Sequence, residues 1–197
     1  NKNVFYDAKG YANLSETALY YVGGILDHAA ALCALTNPST NSYKRLAPGF
    51  EAPTSCFFGK GDRNAAIRAP KYATDPSEAR IEYRTPDATC NPYLAIPAML
   101  LAGLDGIARK VDPRTKGYGP FDEDVLAWPE SKQKKIKKVP FSLSEALDAL
   151  EKDHQFLTAS GVFSEGFIQF WVKSLRKEAL DILTRPIPIE IERYLDC

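Results

Sequence analysis

Residues 54–85 have the sequence TSCFFGKGDRNAAIRAPKYATDPSEARIEYRT, and this stretch decides the fold class. Within it, segments 54–60, 65–72 and 79–85 show the residue pattern of short strands and are separated by turn residues. On either side of the stretch the apolar residues recur at the 3.6-residue period of a helix instead. Strands flanked by helical blocks predict an α+β fold.

The helical blocks lie on both sides of the predicted strands. The pattern predicts helices over 14–35, 92–109, 142–161 and 164–184. Pro97 lies inside the second helix and is expected to kink it. Gly23 and Gly24 lie inside the first helix, where glycine is unfavourable, so we expect close packing there.

The tail from Pro186 to Arg193 alternates Ile187, Ile189 and Ile191 with other residues, including two prolines. Because proline cannot donate to a strand ladder, this pattern predicts an edge strand or an extended arm.

Composition excludes several classes of protein. The 197 residues are 45% hydrophobic, and 25 basic residues balance 25 acidic ones, so no nucleic-acid partner is expected. Four scattered cysteines and two histidines predict neither a zinc site nor a disulfide framework, and favour a cytoplasmic location. No apolar run approaches the roughly 18 residues of a membrane span, so no membrane partner is expected. The chain begins at Asn1 and its only methionine is Met99, so we expect further sequence upstream.

Arginines concentrate around the predicted strands. Five of them lie within 40 residues: Arg45, Arg63, Arg68, Arg80 and Arg84. Strand parity places Arg80, Glu82 and Arg84 on one face. It likewise leaves Arg68 on the face opposite Ile67 and Ala69, so that one sheet face carries several guanidinium groups and one carboxylate. Guanidinium groups match phosphate and carboxylate oxygens, and a carboxylate among phosphates suits Mg²⁺. The alternative is a solvated face whose ion pairs contribute under about 1 kcal/mol each.

Four motifs surround these residues: NSYKRLAPGFEAP (41–53), RNAAIR (63–68), RIEYRTPD (80–87) and NPYL (91–94). Together and in this order they resemble the C-terminal half of the catalytic domain of bacterial type I glutamine synthetase. The resemblance covers essentially the whole chain, with one extra residue between Arg68 and Glu82.

The resemblance implies an antiparallel sheet that forms part of an active-site barrel and is flanked by helices. Residues 1–197 would then be the C-terminal part of the catalytic domain, with 186–197 as an inter-subunit arm. The N-terminal domain and the first part of the catalytic domain would lie upstream of Asn1. A homo-oligomer is implied, a dodecamer of two hexameric rings.

The implied reaction is the ATP-dependent ligation of ammonia to L-glutamate through γ-glutamyl phosphate, giving L-glutamine, with Mg²⁺ or Mn²⁺ as cofactor. By position in the motifs, the catalytic residues would be Glu51 and Arg63, and the substrate-binding residues Arg45, Glu51, Arg63 and Arg84. The ATP-binding residues would be Arg63, Arg68 and Arg80, and the metal ligand Glu82.

Two positions depart from the family pattern. Leu126 stands where the regulated branch of the family has its adenylylation tyrosine, and Ser77 stands where many relatives have an ATP-binding lysine. The remaining metal ligands are expected upstream of Asn1. Two other functions stay open: a γ-glutamyl ligase that uses an amine or polyamine in place of ammonia, and a non-catalytic assembly fragment.

Overall fold

The computed structural model describes residues 2–46 and 52–195, in which eight α-helices flank a three-stranded sheet. The helices are α1 (Glu16–Asp27), α2 (Ala29–Thr36), α3 (Pro92–Ala108), α4 (Glu130–Gln133), α5 (Leu143–Lys152), α6 (Gln155–Thr158), α7 (Glu165–Leu183) and α8 (Pro188–Tyr194). The strands are β1 (Ser55–Lys60), β2 (Ala65–Ala69) and β3 (Glu82–Tyr83). Short 3₁₀ turns cover Tyr11–Asn13, Thr40–Lys44, Pro76–Glu78 and Val125–Ala127. The predicted α+β class is confirmed.

Glycines let α1 and α3 pack closely. A Cβ atom added to Gly24 would lie 2.1 Å from the carbonyl oxygen of Ala102, and one on Gly106 would lie 2.3 Å from that of Tyr20. Only a residue without a side chain fits at such distances. The close packing predicted at Gly24 is therefore confirmed, and α3 runs through Pro97 as one helix.

The helical core continues from α2 to α5 and α7. Leu32 on α2 and Leu147 and Leu150 on α5 are fully buried. The indole nitrogen of Trp171 on α7 donates a hydrogen bond of 2.9 Å to the carbonyl oxygen of Ala34. This bond fixes α7 against the end of α2.

The prediction of one helix over 14–35 is wrong at its middle. The chain breaks at His28, and α1 and α2 meet at a bend of 74°. His28 lies 2.8 Å from Asp105 through Nε2 and 2.8 Å from Asp153 through Nδ1. Its ring stacks on Phe156 at 4.0 Å. A buried imidazole must satisfy both nitrogens, and the break turns it toward these partners.

The predicted helix over 142–161 also divides. It begins as expected after Ser142, whose side chain accepts from the Glu145 amide, but α5 ends at Lys152. Asp153 leaves the helical conformation, and the short α6 follows. The side chain of Asp153 bonds His28, so the same contact interrupts both predicted helices.

The sheet is mixed, in the order β1-β2-β3. β2 and β3 are antiparallel, but β1 and β2 are parallel. The prediction of a wholly antiparallel sheet is therefore wrong. Turn 61–64 brings Ala65 back beside Ser55, the first residue of β1, instead of forming a hairpin. Within the described ranges the sheet has three strands, and the expected barrel is not formed by them.

Two later segments cover the remaining edge of β1. The amides of Cys56 and Phe58 donate to the carbonyl oxygens of Lys137 and Tyr118 at 2.7 and 3.0 Å. In return, the amide of Phe121 donates to the carbonyl oxygen of Phe58 at 3.0 Å. The apolar strand is thereby hydrogen-bonded on both sides.

The tail is a helix, which corrects the predicted edge strand or extended arm. Pro188 occupies the first turn of α8, and the Glu190 carboxylate accepts from the Ile187 amide at 2.9 Å. Proline and an acidic residue in the first turn both favour a helix start. Ile189 and Ile191 are 51% and 46% exposed.

Among the described residues, no single helix has both the length and the apolar composition for a membrane span. α1 and α2 meet that test only as a pair, bent by 74°.

Candidate active site

Strand pairing brings two predicted site residues together. Arg68 and Glu82 are direct partners across β2 and β3, and Ile67 pairs with Tyr83 at the next position. The Arg68 guanidinium donates from Nε at 2.9 Å and from Nη2 at 2.6 Å to Glu82 Oε2. Because side chains alternate along a strand, the charged pair and the apolar pair lie on opposite faces. Strand parity correctly predicted this separation.

Tyr72 and Arg80 complete a cluster around Glu82. The Tyr72 hydroxyl donates to Glu82 Oε1 at 3.0 Å, and the Arg80 guanidinium lies 5.2 Å from the centre of the Tyr72 ring. Burial raises the pKa of the Glu82 carboxyl, but hydrogen bonds from Arg68 and Tyr72 and the charges of Arg68 and Arg80 outweigh it. The net pKa lies below its ordinary value, so Glu82 is ionised at neutral pH. We call these four residues the Glu82 cluster.

Arg63 lies on the turn between β1 and β2 and is exposed. Gly61 has φ +78, and Asp62 Oδ1 accepts from the Asn64 amide at 2.7 Å, which shapes the turn. Burial raises the pKa of the Asp62 carboxyl, and the Asn64 amide and the charge of Arg84 only partly offset this effect. The amide of Arg84 donates to the carbonyl oxygen of Ala66, two residues after this turn, so Arg84 lies near the segment that carries Arg63.

Arg45 reaches the same region from a distant part of the chain. Its Nη2 donates to the carbonyl oxygens of Thr85 at 2.5 Å and Pro86 at 3.1 Å. The amide of Arg84 donates to the carbonyl oxygen of Ala66 at 2.8 Å, one residue beyond β3. Arg45 therefore bonds the two residues that directly follow Arg84, and the backbone of Arg84 bonds β2.

Six of the seven predicted site residues fall within the described ranges: Arg45, Arg63, Arg68, Arg80, Glu82 and Arg84. The seventh, Glu51, lies outside the described residues. The contacts bring the six to the β2–β3 ladder and the chain segments at its ends.

Glu82 is the predicted metal ligand among the residues that the structure describes. In residues 2–46 and 52–195 no group of three or more His, Cys, Asp or Glu side chains is arranged to hold one. Glu82 Oε1 receives one hydrogen bond, from Tyr72, and a carboxylate oxygen has two lone pairs. Glu82 thus fits as one oxygen ligand of Mg²⁺, which prefers carboxylate and phosphate oxygens.

Two supporting groups of the site, Tyr72 and Asp122, are not predicted from the sequence patterns. Asp122 Oδ1 accepts from the Lys60 amide at 2.7 Å and from the Tyr11 hydroxyl at 2.5 Å. It thereby fixes the residue that enters the Arg63 turn. No motif marks either residue, because each acts through contacts between separate segments of the chain.

The two departures from the family pattern have structural counterparts. Leu126 is 40% exposed in the Val125–Ala127 turn and has no hydroxyl group that could accept an adenylyl group. The Ser77 hydroxyl donates to Asp75 Oδ1 at 2.5 Å and is engaged within its own turn.

Comparisons with known proteins show which family this chain resembles in sequence. The family model described as "Glutamine synthetase, catalytic domain" matches residues 1–194. Glutamine synthetase of Microchaete diplosiphon is 50% identical over 188 residues, covering 95% of this chain and 39% of the relative. That of Aquifex aeolicus is 49% identical over 186 residues, covering 94% and 39%. The chain therefore spans about two-fifths of the length of these relatives.

Solved structures give the same result. The cryo-EM structure of Plasmodium falciparum glutamine synthetase superposes with a TM-score of 0.82 at 34% identity, covering 98% of this chain and 44% of that one. The GmaS/ADP complex in conformation 1 gives 0.81 at 33% identity, covering 100% and 43%. Sequence, fold and the match over residues 1–194 lead to one conclusion: the chain belongs to the glutamine synthetase (glutamate–ammonia ligase) family and is part of its catalytic domain.

Proposed function

We propose that the full-length protein ligates ammonia to L-glutamate at the expense of ATP, through γ-glutamyl phosphate. The observation that carries this proposal is the Glu82 cluster, in which Arg68 bonds the ionised Glu82 carboxylate and Arg80 lies over the ring of Tyr72, which bonds the same carboxylate. Since the chain spans about two-fifths of its relatives, the activity belongs to the whole protein.

Arg68 and Arg80 bind ATP phosphates in this proposal, together with Arg63. Each guanidinium has five N–H donors. Arg80 uses one of them on the carbonyl oxygen of Glu78, at 3.1 Å, which leaves donors for a phosphate. The GmaS/ADP complex, which has nearly the same fold, contains a nucleotide, and this likeness supports the nucleotide part of the proposal.

Arg45 and Arg84 bind the substrate glutamate, again together with Arg63. Their support is proximity: Arg45 bonds the carbonyl group of Thr85, the residue after Arg84, and the charge of Arg84 reaches the Arg63 turn. A glutamate γ-carboxylate and the ATP phosphates repel each other, so cations on both sides are needed before phosphoryl transfer in line.

Glu82 holds Mg²⁺ or Mn²⁺ as one of its ligands. When bound, the metal neutralises phosphate charge. Arg68 keeps the pKa of Glu82 low, so the carboxylate is available without a prior proton loss. The remaining ligands come from upstream residues.

Glu51 acts as a base that takes a proton from ammonium, because ammonium itself is not a nucleophile. In the same proposal Glu51 helps to keep water away from the acyl phosphate, which would otherwise hydrolyse.

The proposal is tested on the full-length enzyme by measuring ADP release and glutamine formation with ammonium, and separately with methylamine and a polyamine. Stoichiometric glutamine with ammonium supports the proposal. A strong preference for an amine would replace it with the γ-glutamyl-amine ligase. If ADP is released with none of these acceptors, the non-catalytic assembly role remains.

A matched pair of variants tests the site itself. Arg68→Lys removes a two-donor contact to Glu82 and is expected to lower kcat/KM for ATP by roughly ten- to hundredfold. Arg114→Lys is the control, because Arg114 makes the same type of contact with Asp112, away from the Glu82 cluster. Equal effects of the two variants would contradict the assignment of Arg68.

We further propose that α8 contacts another subunit in a dodecamer of two hexameric rings. Its support is exposure, since Ile187, Ile189 and Ile191 are 37%, 51% and 46% exposed on this chain. Burying the part of each isoleucine that is still exposed would contribute roughly 0.5–1.5 kcal/mol. Removing residues 186–197 should split the double ring into smaller folded species. Light scattering measures the mass of the truncated assembly. An unchanged mass together with a lower melting temperature would refute the contact of α8 with another subunit.

A further inference from the structure

The chain just before Arg80 forms a turn with its own capping bonds. Asp75 Oδ1 accepts from the Ser77 amide at 2.8 Å and from its hydroxyl at 2.5 Å. The carbonyl oxygen of Asp75 accepts from the Glu78 amide at 2.9 Å. These bonds satisfy amide groups of the turn and leave its carbonyl oxygens at 76–79 for other donors.

Asn3 supplies most of those donors. Its Nδ2 lies 3.1 Å from the carbonyl oxygen of Pro76, 3.4 Å from that of Ser77 and 2.8 Å from that of Ala79. Its Oδ1 accepts from the Phe5 amide at 3.0 Å, which fixes the orientation of the side chain. One carboxamide from the start of the chain therefore spans a turn more than seventy residues away.

The fourth carbonyl group of the turn belongs to Glu78 and is bonded by Arg80. Arg80 consequently lies against the turn, with its guanidinium over the ring of Tyr72, whose hydroxyl bonds Glu82. The position of the turn thus sets the position of Arg80 relative to the carboxylate.

We propose that Asn3 is a positioning residue for Arg80. It holds the carbonyl groups on either side of Glu78, so that Arg80 leaves the turn above Tyr72 and beside Glu82. Asn3 touches neither reactant and acts through the backbone. The inference rests on the proposed function in one respect, the assignment of Arg80 to an ATP phosphate.

The test is steady-state kinetics on the full-length enzyme carrying Asn3→Ala. We expect KM for ATP to rise about five- to tenfold, with kcat and KM for glutamate changed by less than about twofold. Hydrogen exchange should also become faster over residues 76–80, a readout that does not depend on activity. The matched control is Asn91→Ala, which removes the cap of α3 (Asn91 Oδ1 accepts from the Tyr93 amide at 2.9 Å). It should lower the melting temperature without changing KM for ATP.

A double-mutant cycle separates positioning from general stability. If Asn3 acts through Arg80, adding Asn3→Ala to Arg80→Ala changes KM for ATP by less than about twofold. Independent, multiplying effects would refute the inference. If Arg80→Ala raises KM for ATP and Asn3→Ala does not, the inference fails while the proposed function stands. If Arg80→Ala leaves KM for ATP unchanged, the ATP assignment of Arg80 itself fails.

Discussion

His28 is expected to make the stability of this chain depend on pH. Both ring nitrogens lie 2.8 Å from a carboxylate, Nε2 from Asp105 and Nδ1 from Asp153. Carboxylates only accept, so both nitrogens must donate, and the ring is an imidazolium. Arg109 lies on the same side, with Nη2 3.3 Å from Nε2, and also donates to Asp105. Asp27 adds a further carboxylate beside it, bonded to Arg109.

The sign of the effect follows from the shift in pKa. Burial lowers the pKa of His28, but the hydrogen bonds and charges of Asp153 and Asp105 outweigh burial and raise it above 6.5. A group with a raised folded-state pKa stabilises the protein fully below its unfolded-state pKa. That contribution is lost as pH rises from about 6.5 through the folded-state value.

The magnitude is worked for His28→Phe, which keeps the stacking on Phe156 and removes both donors. A hydrogen bond to a charged group contributes about 1.5–3 kcal/mol. The side chain of Asp153 is 42% exposed, so the contribution of its bond to His28 is reduced to about 0.2–1 kcal/mol. In the variant, Asp105 still accepts a hydrogen bond from Arg109 and is not left unpaired. We expect a loss of about 2–3 kcal/mol at pH 6 and a smaller loss at pH 9, because the contribution of the charged ring decreases as pH rises through its folded-state pKa.

The assay is urea unfolding of the 197-residue chain at pH 6, 7.5 and 9, followed by tryptophan fluorescence. His154→Phe is the control, because His154 pairs with Glu165, which is 58% exposed, and should contribute less than about 1 kcal/mol. A destabilisation by His28→Phe that is equal at all three pH values would refute the imidazolium. An NMR titration giving His28 a pKa at or below 6.5 would refute it independently.

Three further substitutions test the helix packing and two site roles. Gly24→Ala places a Cβ atom 2.1 Å from the Ala102 carbonyl oxygen, so unfolding should require about 1–3 kcal/mol less; an unchanged urea midpoint would contradict the close contact. Arg84→Lys in the full-length enzyme should lower kcat/KM roughly ten- to hundredfold, because lysine cannot form a two-donor contact with a carboxylate; retention of half the wild-type turnover would exclude the role. The Glu51→Ala variant should release ADP without forming a matching amount of glutamine, because water reaches the acyl phosphate. An unchanged ratio of ADP to glutamine would rule out the proposed role of Glu51.

Local patterns predicted the parts of the fold that local forces determine. The helices near 92–109 and 164–184 are present as α3 and α7, because their apolar periods are long. Period-two alternation placed Arg68 and Glu82 on one face before any pairing was known. The close contact at Gly24 was signalled by a glycine in an otherwise good helix.

Long-range contacts decided what sequence patterns did not. The break at His28 depends on Asp105 and Asp153, which are 77 and 125 residues away. The direction of β1 relative to β2 depends on the return of the chain through turn 61–64, and turn length alone does not fix that direction. In the site, Tyr72 and Asn3 matter only through partners that tertiary folding brings to them. Such contacts leave no periodic trace in a single sequence.

The covered edge of β1 affects how copies of this chain associate with one another at high concentration. An open edge on an apolar strand would recruit a strand from another molecule and favour aggregation. Here the amides of Cys56 and Phe58 are already bonded to later segments, and at the other end of the sheet β3 is only two residues long. Strand addition therefore has little template on this sheet. Contacts between copies are then left to exposed side chains, such as Ile96 and Leu100 on α3.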